Sequence, residues 1–245
     1  MFIRQMAKLN FAYSGVYSAM SYMKEVNDIL NLNYNTSNKY YMMTTNYLLK
    51  NGALARPPYV TMPKQVEFIE DKNYMSGFKI FSDKRSLNTI EVGYINEAIE
   101  YNIFSMQLLM GFAQVSTESE VKKYFIEGKE LSKKNIDKLS DMLLQSDIQS
   151  PSTWAGKVTD STQAPFSDKL MMYINSLISS TSLGFTGLGT SFSMRNDLPL
   201  KLGLISKDTF DYAKKGAKIM IAHKWMEEPR SEEHTSELQS PVRSR

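Results

Sequence analysis

FAYSGVYSAMSYMKEVNDILNLNYNTSNKYYMMTTNYLLKNGALARP, residues 11–57, realigns without a gap on LGFTGLGTSFSMRNDLPLKLGLISKDTFDYAKKGAKIMIAHKWMEEP, residues 183–229. The offset is constant at 172 (229 minus 57). Ser14-Gly15 falls on Thr186-Gly187, Ser18 on Thr190, Ser21 on Ser193, Tyr40 on Tyr212 and Pro57 on Pro229. Thr36, which has the residue type of a helix N-cap, falls on Asp208. Identity is modest, but ungapped register with matched helix punctuation identifies a tandem duplication. The chain therefore reads as all-α, with helical bundles in tandem.

Working outward, the second unit reads as four helices over 88–229. The first spans roughly Thr89 to Val115, opened by Asn88 with Glu91 at the capping-box spacing. The second spans Glu118 to Gln145, with an apolar stripe of Val121, Tyr124, Phe125, Leu131, Ile136, Leu139 and Leu143. A loop carrying Pro151, Trp154, Gly156 and Pro165 leads to a third helix from Ser167-Asp168 to about Arg195. A fourth is expected from about Asp208 to Met226, broken or bent near Pro199 and Gly203. The first unit supplies only its last two helices, roughly 1–25 and 36–51, within a segment 1–52. A linker over 53–87 carries Pro57, Pro58, Pro63 and Gly77.

Both ends need separate treatment. RSEEHTSELQS, 230–240, translates a common sequencing-library adapter, so 230–245 and its His234 are set aside from fold reasoning. The N-terminus opens uncapped in a helical rhythm of Phe2, Met6, Leu9, Tyr13 and Val16, without a signal-peptide h-region. Met1 reads as an internal methionine of a longer frame, with about 115 residues expected before it (172 minus 57). A helix pair without its other half should expose apolar faces.

Composition narrows the function. Without the tail the net charge remains +3 (26 Lys/Arg minus 23 Asp/Glu), and no basic stripe with aromatics indicates a nucleic-acid partner. Lys122, Lys123, Lys133 and Lys134 mix with Glu118, Glu120, Glu127 and Glu130 as a solvated helix face. Cysteine is absent, which removes disulfides, thiol nucleophiles and thiolate metal sites, and fits a cytoplasmic chain. Leu170–Met194 has no charge over 25 residues, long enough for a bilayer, yet its Ser and Thr content favours a buried central helix over a membrane span. GFTGLGTS, 184–191, lacks the strand a phosphate-binding loop requires, and its small residues point to close helix packing.

RPPYVTMPKQVEF (56–68), SLNTIE (86–91), GFAQVSTESEVKKYFIEGKELSKKN (111–135), TWAGKVTDST (153–162) and PFSDKLMM (165–172) carry a family resemblance. The chain resembles the tandem ferritin-like domain-of-unknown-function family 3231 of endospore-forming bacteria, some of whose members are labelled spore-coat-like. The resemblance covers residues 1–229 and implies two ferritin-like four-helix bundles in a full-length chain: here, the second half of one bundle, then one complete bundle. It implies no particular activity. Many relatives carry His where this chain has Asn135, so the resemblance implies no metal ligand at that position here.

A ferritin-like bundle raises the question of a di-iron site, which uses a Glu on each of two helices and Glu-x-x-His on the other two. No Glu-x-x-His occurs in 1–229. The carboxylates on offer are Glu97 and Glu100 on the first helix, Glu127 and Glu130 on the second, and Asp168, Asp208 and Asp211; solvated or capping roles are the preferred reading of all of them. His223, near a helix C-terminus, is expected at the surface. Trp154 and Asp160, in the VTDST loop, are the candidate partner-recognition residues, against a plain role in plugging the bundle end through Ser161, Thr162 and Ser167. The reading is a non-enzymatic structural or interaction protein, sporulation-associated, that self-associates or binds a protein partner. The alternatives are a degenerate di-iron oxidoreductase with iron as cofactor, and a membrane-associated helical protein.

Overall fold

The computed structural model describes residues 1–54, 57–60, 64–77, 84–151 and 158–229. These form α1 (Phe2–Met20), α2 (Lys24–Lys50), a 3-10 turn (Lys72–Met75), α3 (Thr89–Val115), α4 (Ser119–Leu144), α5 (Asp168–Phe192) and α6 (Asp197–Ala222), with no strand among the described residues. The chain is all-α, as its apolar spacing predicts.

Helix α3 begins where its cap dictates. Asn88 Oδ1 accepts from the Glu91 backbone N–H (2.9 Å), and Glu91 Oε2 accepts from the Asn88 N–H (3.0 Å), closing the capping box. Glu91 also receives Arg85 Nη2 (2.7 Å) and the Met194 and Arg195 backbone N–H groups (3.0 Å each). One buried carboxylate thus ties the linker and the α5–α6 turn to the start of α3. Burial would raise its pKa, but the Arg85 and backbone hydrogen bonds outweigh burial and hold it below the ordinary value.

Four helices, α3 to α6, make a bundle in which every neighbouring pair is antiparallel. Asn135 reaches Asn102, and Phe125 packs on Phe112, between α3 and α4. Tyr101 meets Phe185, and Tyr94 meets Phe192, between α3 and α5. Glu127 pairs with Lys215, and Lys201 with Gln145, between α4 and α6. Helices α4 and α5 are therefore parallel, and the connection between them must return along the length of the bundle, about 40 Å for a 26-residue helix. A single long crossover of this kind is the connectivity of ferritin-like bundles. Ile99, Phe125, Leu139 and Leu143 are fully buried. Each contributes roughly 1.5–3 kcal/mol through removal from water.

Two elements differ from the sequence expectation, at equivalent positions of the repeat. The second helix of the first unit starts at Lys24, not near residue 36; Thr36 lies inside it. Likewise α6 starts at Asp197 and runs unbroken through Pro199 and Gly203 to Ala222; Asp208 lies inside it. Pro199 sits in the first helical turn, where its missing N–H is one of the donors no helix satisfies internally. Asp208 caps nothing there; it faces Lys138 (3.2 Å) and Lys134 (3.3 Å) of α4. The first helix ends at Met20 rather than about 25, and the third of the second unit at Phe192 rather than about 195.

The helix ends of the two similar stretches keep the offset of 172. Met20 and Phe192 end α1 and α5, and Lys50 and Ala222 end α2 and α6, each pair 172 apart. The same C-cap follows both. Gly52 N–H donates to Leu49 O and Ala53 N–H to Leu48 O; Lys224 N–H donates to Ile221 O and Trp225 N–H to Met220 O. Gly52 (φ 62°) and Lys224 (φ 57°) hold the left-handed position that this Schellman closure needs.

The α1–α2 hairpin docks on the bundle through α1. Phe2 meets Phe104 and Phe166, Leu9 joins the bundle core, and Tyr13 Oη lies 3.0 Å from Thr181 Oγ1. Helix α2 packs on α1; Ser37 is its only buried residue, and its apolar outer side faces solvent.

Candidate functional site

The four glutamates singled out as metal candidates lie in three separate places. Glu97 and Glu100 leave α3 toward α1 rather than into the bundle. Lys8 pairs with Glu97 and lies 3.5 Å from Glu100, which also takes Arg4 (2.5 Å) and Gln5 Nε2 (2.7 Å). For Glu100, burial would raise the pKa, but Lys8 and Arg4 outweigh it and hold the carboxyl low. For Glu97, burial dominates over the attraction of Lys8 and pushes the carboxyl up. Tyr101, beside them and under Lys8 Nζ (5.3 Å to the ring), is pushed up by burial and the two carboxylates. The cluster is a charged seam that seats the hairpin on the bundle. Glu127 pairs with Lys215, and Glu130 with Lys129 (2.7 Å), both on the outer face of α4.

The remaining polar candidates have structural tasks. Asp168 takes the Glu118 N–H (2.8 Å), the Thr117 N–H (3.1 Å) and the Thr117 hydroxyl (2.9 Å), and so caps α4 from the start of α5. Asp211 pairs with Lys207 on α6. His223 is the C-cap of α6 and stacks on Trp225 (4.4 Å), with Glu120 Oε2 3.5 Å away. Asp160 is exposed, and the loop near it is anchored by Gln114 Nε2, which donates to the Thr159 and Ser161 carbonyls. Trp154 lies outside the described residues. The uncharged stretch of α5 is satisfied from within: Thr181, Thr186 and Thr190 donate to the carbonyls four residues back. Among the described residues no helix is long and apolar enough to cross a membrane.

The centre of the bundle is polar but carries no charge. Asn175 Nδ2 donates to Tyr212 Oη (3.0 Å) and Tyr124 Oη (3.4 Å); Asn135 Nδ2 donates to Asn102 Oδ1 (3.2 Å). With Ser132, Ser179 and Thr209, the three asparagines and Tyr212 surround a cavity of about 20 Å³, room for a single water molecule. The rings of Tyr124 and Tyr212 stack at 4.3 Å, and each hydroxyl donates to the other residue's carbonyl at 3.3 Å. This contact requires two glycines. A Cβ at Gly128 would lie 2.1 Å from Tyr212 Oη, and one at Gly216 would lie 2.2 Å from Tyr124 Oη. Sequence reasoning missed this reciprocal lock, although its signature, Tyr-x-x-x-Gly at 124–128 and again at 212–216, is legible.

A di-iron group does not fit this centre. It needs carboxylates and imidazoles converging from four helices, whereas the inward residues are amides, hydroxyls and phenols. Among the described residues no three His, Asp or Glu side chains gather closely enough to hold a metal ion.

Known proteins place the fold. A crystal structure of a Bacillus halodurans protein, provisionally assigned to the spore coat, matches with a TM-score of 0.54 at 16% identity, covering 60% of this chain and 96% of that one. At that identity the likeness establishes the fold alone. No curated protein matches the chain. The family described as "Protein of unknown function (DUF3231)" matches residues 75–237, two thirds of the sequence, and the chain belongs to it.

Proposed function

We propose that this chain is a non-catalytic helical-bundle protein that works as a structural or interaction element in a spore-forming cell. The observation that carries the reading is the uncharged centre of the bundle. Asn102, Asn135 and Asn175 occupy the inward positions between the helices, and the candidate glutamates point elsewhere, each against a cation. Acid–base or metal chemistry needs titratable groups of matched pKa converging on one space. The spore association is supported by the designation of the Bacillus halodurans neighbour.

Elemental analysis of the full chain after aerobic incubation with ferrous iron and desalting tests the non-catalytic reading. Iron well below one equivalent per chain is expected. Retention near two equivalents, lost in Glu97→Ala/Glu100→Ala, would revive the di-iron oxidoreductase reading.

A further inference from the structure

The polar centre of the bundle contains one acceptor that the protein itself leaves unpartnered. Asn135 is 2% exposed, and its Oδ1 is buried without a hydrogen bond. Which end of this amide is oxygen follows from its neighbours. Asn102 Nδ2 donates to the Ala98 carbonyl (2.8 Å), a group that can only accept, so Asn102 Oδ1 is the atom turned toward Asn135. Only a donor can meet that oxygen at 3.2 Å, which makes the contacting Asn135 atom Nδ2 and leaves Oδ1 as the unpaired end. Turning the amide over would set two oxygens against each other, so neither orientation satisfies the side chain from within the protein. Native interiors rarely leave such an acceptor without a donor.

Asn135 lines the central cavity of about 20 Å³, together with Ser132 of its own helix, Asn102 of α3, Ser179 of α5 and Thr209 of α6. That volume takes one water-sized body, and the polar groups around it match the about two to four partners that a buried water needs. Charge decides the class of occupant. Among the described residues no carboxylate lines the cavity, so a cation would sit there as an uncompensated buried charge. An anion would meet the Asn135 oxygen with like polarity. Water can donate to that oxygen and accept from a hydroxyl in the same space.

We propose that the bundle centre is a binding site for one water molecule, which donates to Asn135 Oδ1 and bridges to Ser179 and Thr209 across the cavity. Thr209 directs its own proton at the Ile205 carbonyl (3.0 Å), so its hydroxyl oxygen is left to accept. The two water protons go to Asn135 Oδ1 and Thr209 Oγ1, and the water accepts from Ser179 Oγ. This gives about three hydrogen bonds, the usual complement of an internal water. The direct side-chain bonds leave two polar clusters apart: Asn102 with Asn135, and Asn175 with Tyr124 and Tyr212. Through the water, the first cluster also grips α5 and α6, so the amide pair braces all four helices and not only α3 against α4. The site does not depend on the structural or interaction role proposed above.

Oxygen-17 relaxation dispersion of the full chain tests this, because it counts whole water molecules held by the protein and is blind to hydroxyl protons exchanging with solvent. Asn102→Leu/Asn135→Leu removes the amide pair together and leaves neither partner orphaned. It should lower the number of long-lived waters by one. Ser179→Val puts methyl groups into the cavity and should expel the same molecule with both asparagines in place. An unchanged count in either variant that keeps its helical circular dichroism overturns the proposal. Should neither variant fold, a crystal structure of the unaltered chain that resolves ordered solvent decides. A density peak about 2.5–3.0 Å from Asn135 Oδ1 supports the site, and a cavity without density overturns it. Density at that position in a folded chain whose long-lived water count does not fall on substitution marks an alkali or ammonium ion, and overturns it equally.

Discussion

Replacing Gly216 by Ala isolates the Tyr–Gly lock that joins α4 to α6. On helix propensity alone, Gly→Ala in a helix interior stabilises by about 1 kcal/mol. Against this, the new methyl would lie 2.2 Å from Tyr124 Oη, 2.6 Å from Cζ and 3.1 Å from Cε1. Tyr124 cannot simply swing away: it is buried, stacked on Tyr212 and hydrogen-bonded to Asn175 and to the Tyr212 carbonyl. Moving it strains the core by about 2–3 kcal/mol and loses about 1 kcal/mol of hydrogen bonding. The balance is a net destabilisation of about 2 kcal/mol. Gly203→Ala on the same helix is the control, because nothing lies within 4 Å of its Cβ position. It should stabilise by up to about 1 kcal/mol. Urea unfolding followed by circular dichroism reads both. With a slope near 2 kcal/mol/M, Gly216→Ala should lower the midpoint by about 1 M, while Gly203→Ala raises it by up to about 0.5 M. Both variants moving upward together would refute the lock.

Two further outcomes follow from the charged seam and the repeated C-cap. By carboxyl NMR, Glu100 should titrate below the ordinary glutamate value and Glu97 above it, the reverse order being incompatible with the seam. The depressed Glu100 contributes stability that is present above its unfolded pKa, about 4.3, and is lost as pH falls through the lower folded value. The raised Glu97 acts oppositely, costing stability as pH rises through its folded value, so Glu97→Gln should cost less than Glu100→Gln, by about 2 kcal/mol in a thermal or urea melt. Lys224 holds a left-handed conformation that Gly52 adopts in the other repeat; Lys224→Gly should therefore stabilise by about 1 kcal/mol, and a loss of stability would contradict the Schellman assignment.

Some of this protein is local and was legible in the chain. The capping box at Asn88 and Glu91 fixed the start of α3 to the residue, because both partners lie within one turn and need nothing from the rest of the fold. The offset of 172 was legible because spacing and punctuation survive when identities do not, and the two Schellman closures keep that offset hydrogen bond by hydrogen bond. The same local reasoning misplaced the starts of α2 and α6, since Thr36 and Asp208 have the side chains of N-caps while the helices pass through them. Whether a capping residue caps depends on the turn before it, and side-chain type alone does not set the start here: neither helix has a side-chain cap bond.

The sequence by itself determined the helical class, the offset of 172 between two similar stretches and the lack of any Glu-x-x-His pair in 1–229, all matters of residue type and spacing. Only the tertiary structure decided where the polar groups point. Glu97 and Glu100 share a helix face by their spacing, but that face meets Arg4 and Lys8 of α1, residues some 90 positions away. Asn102, Asn135, Asn175 and the two tyrosines come together from four helices, and no local pattern says that they meet. The open face of α2 is likewise a property of packing: the same helical spacing is a core in α6 and a surface in α2, because burial depends on which helices lie against it.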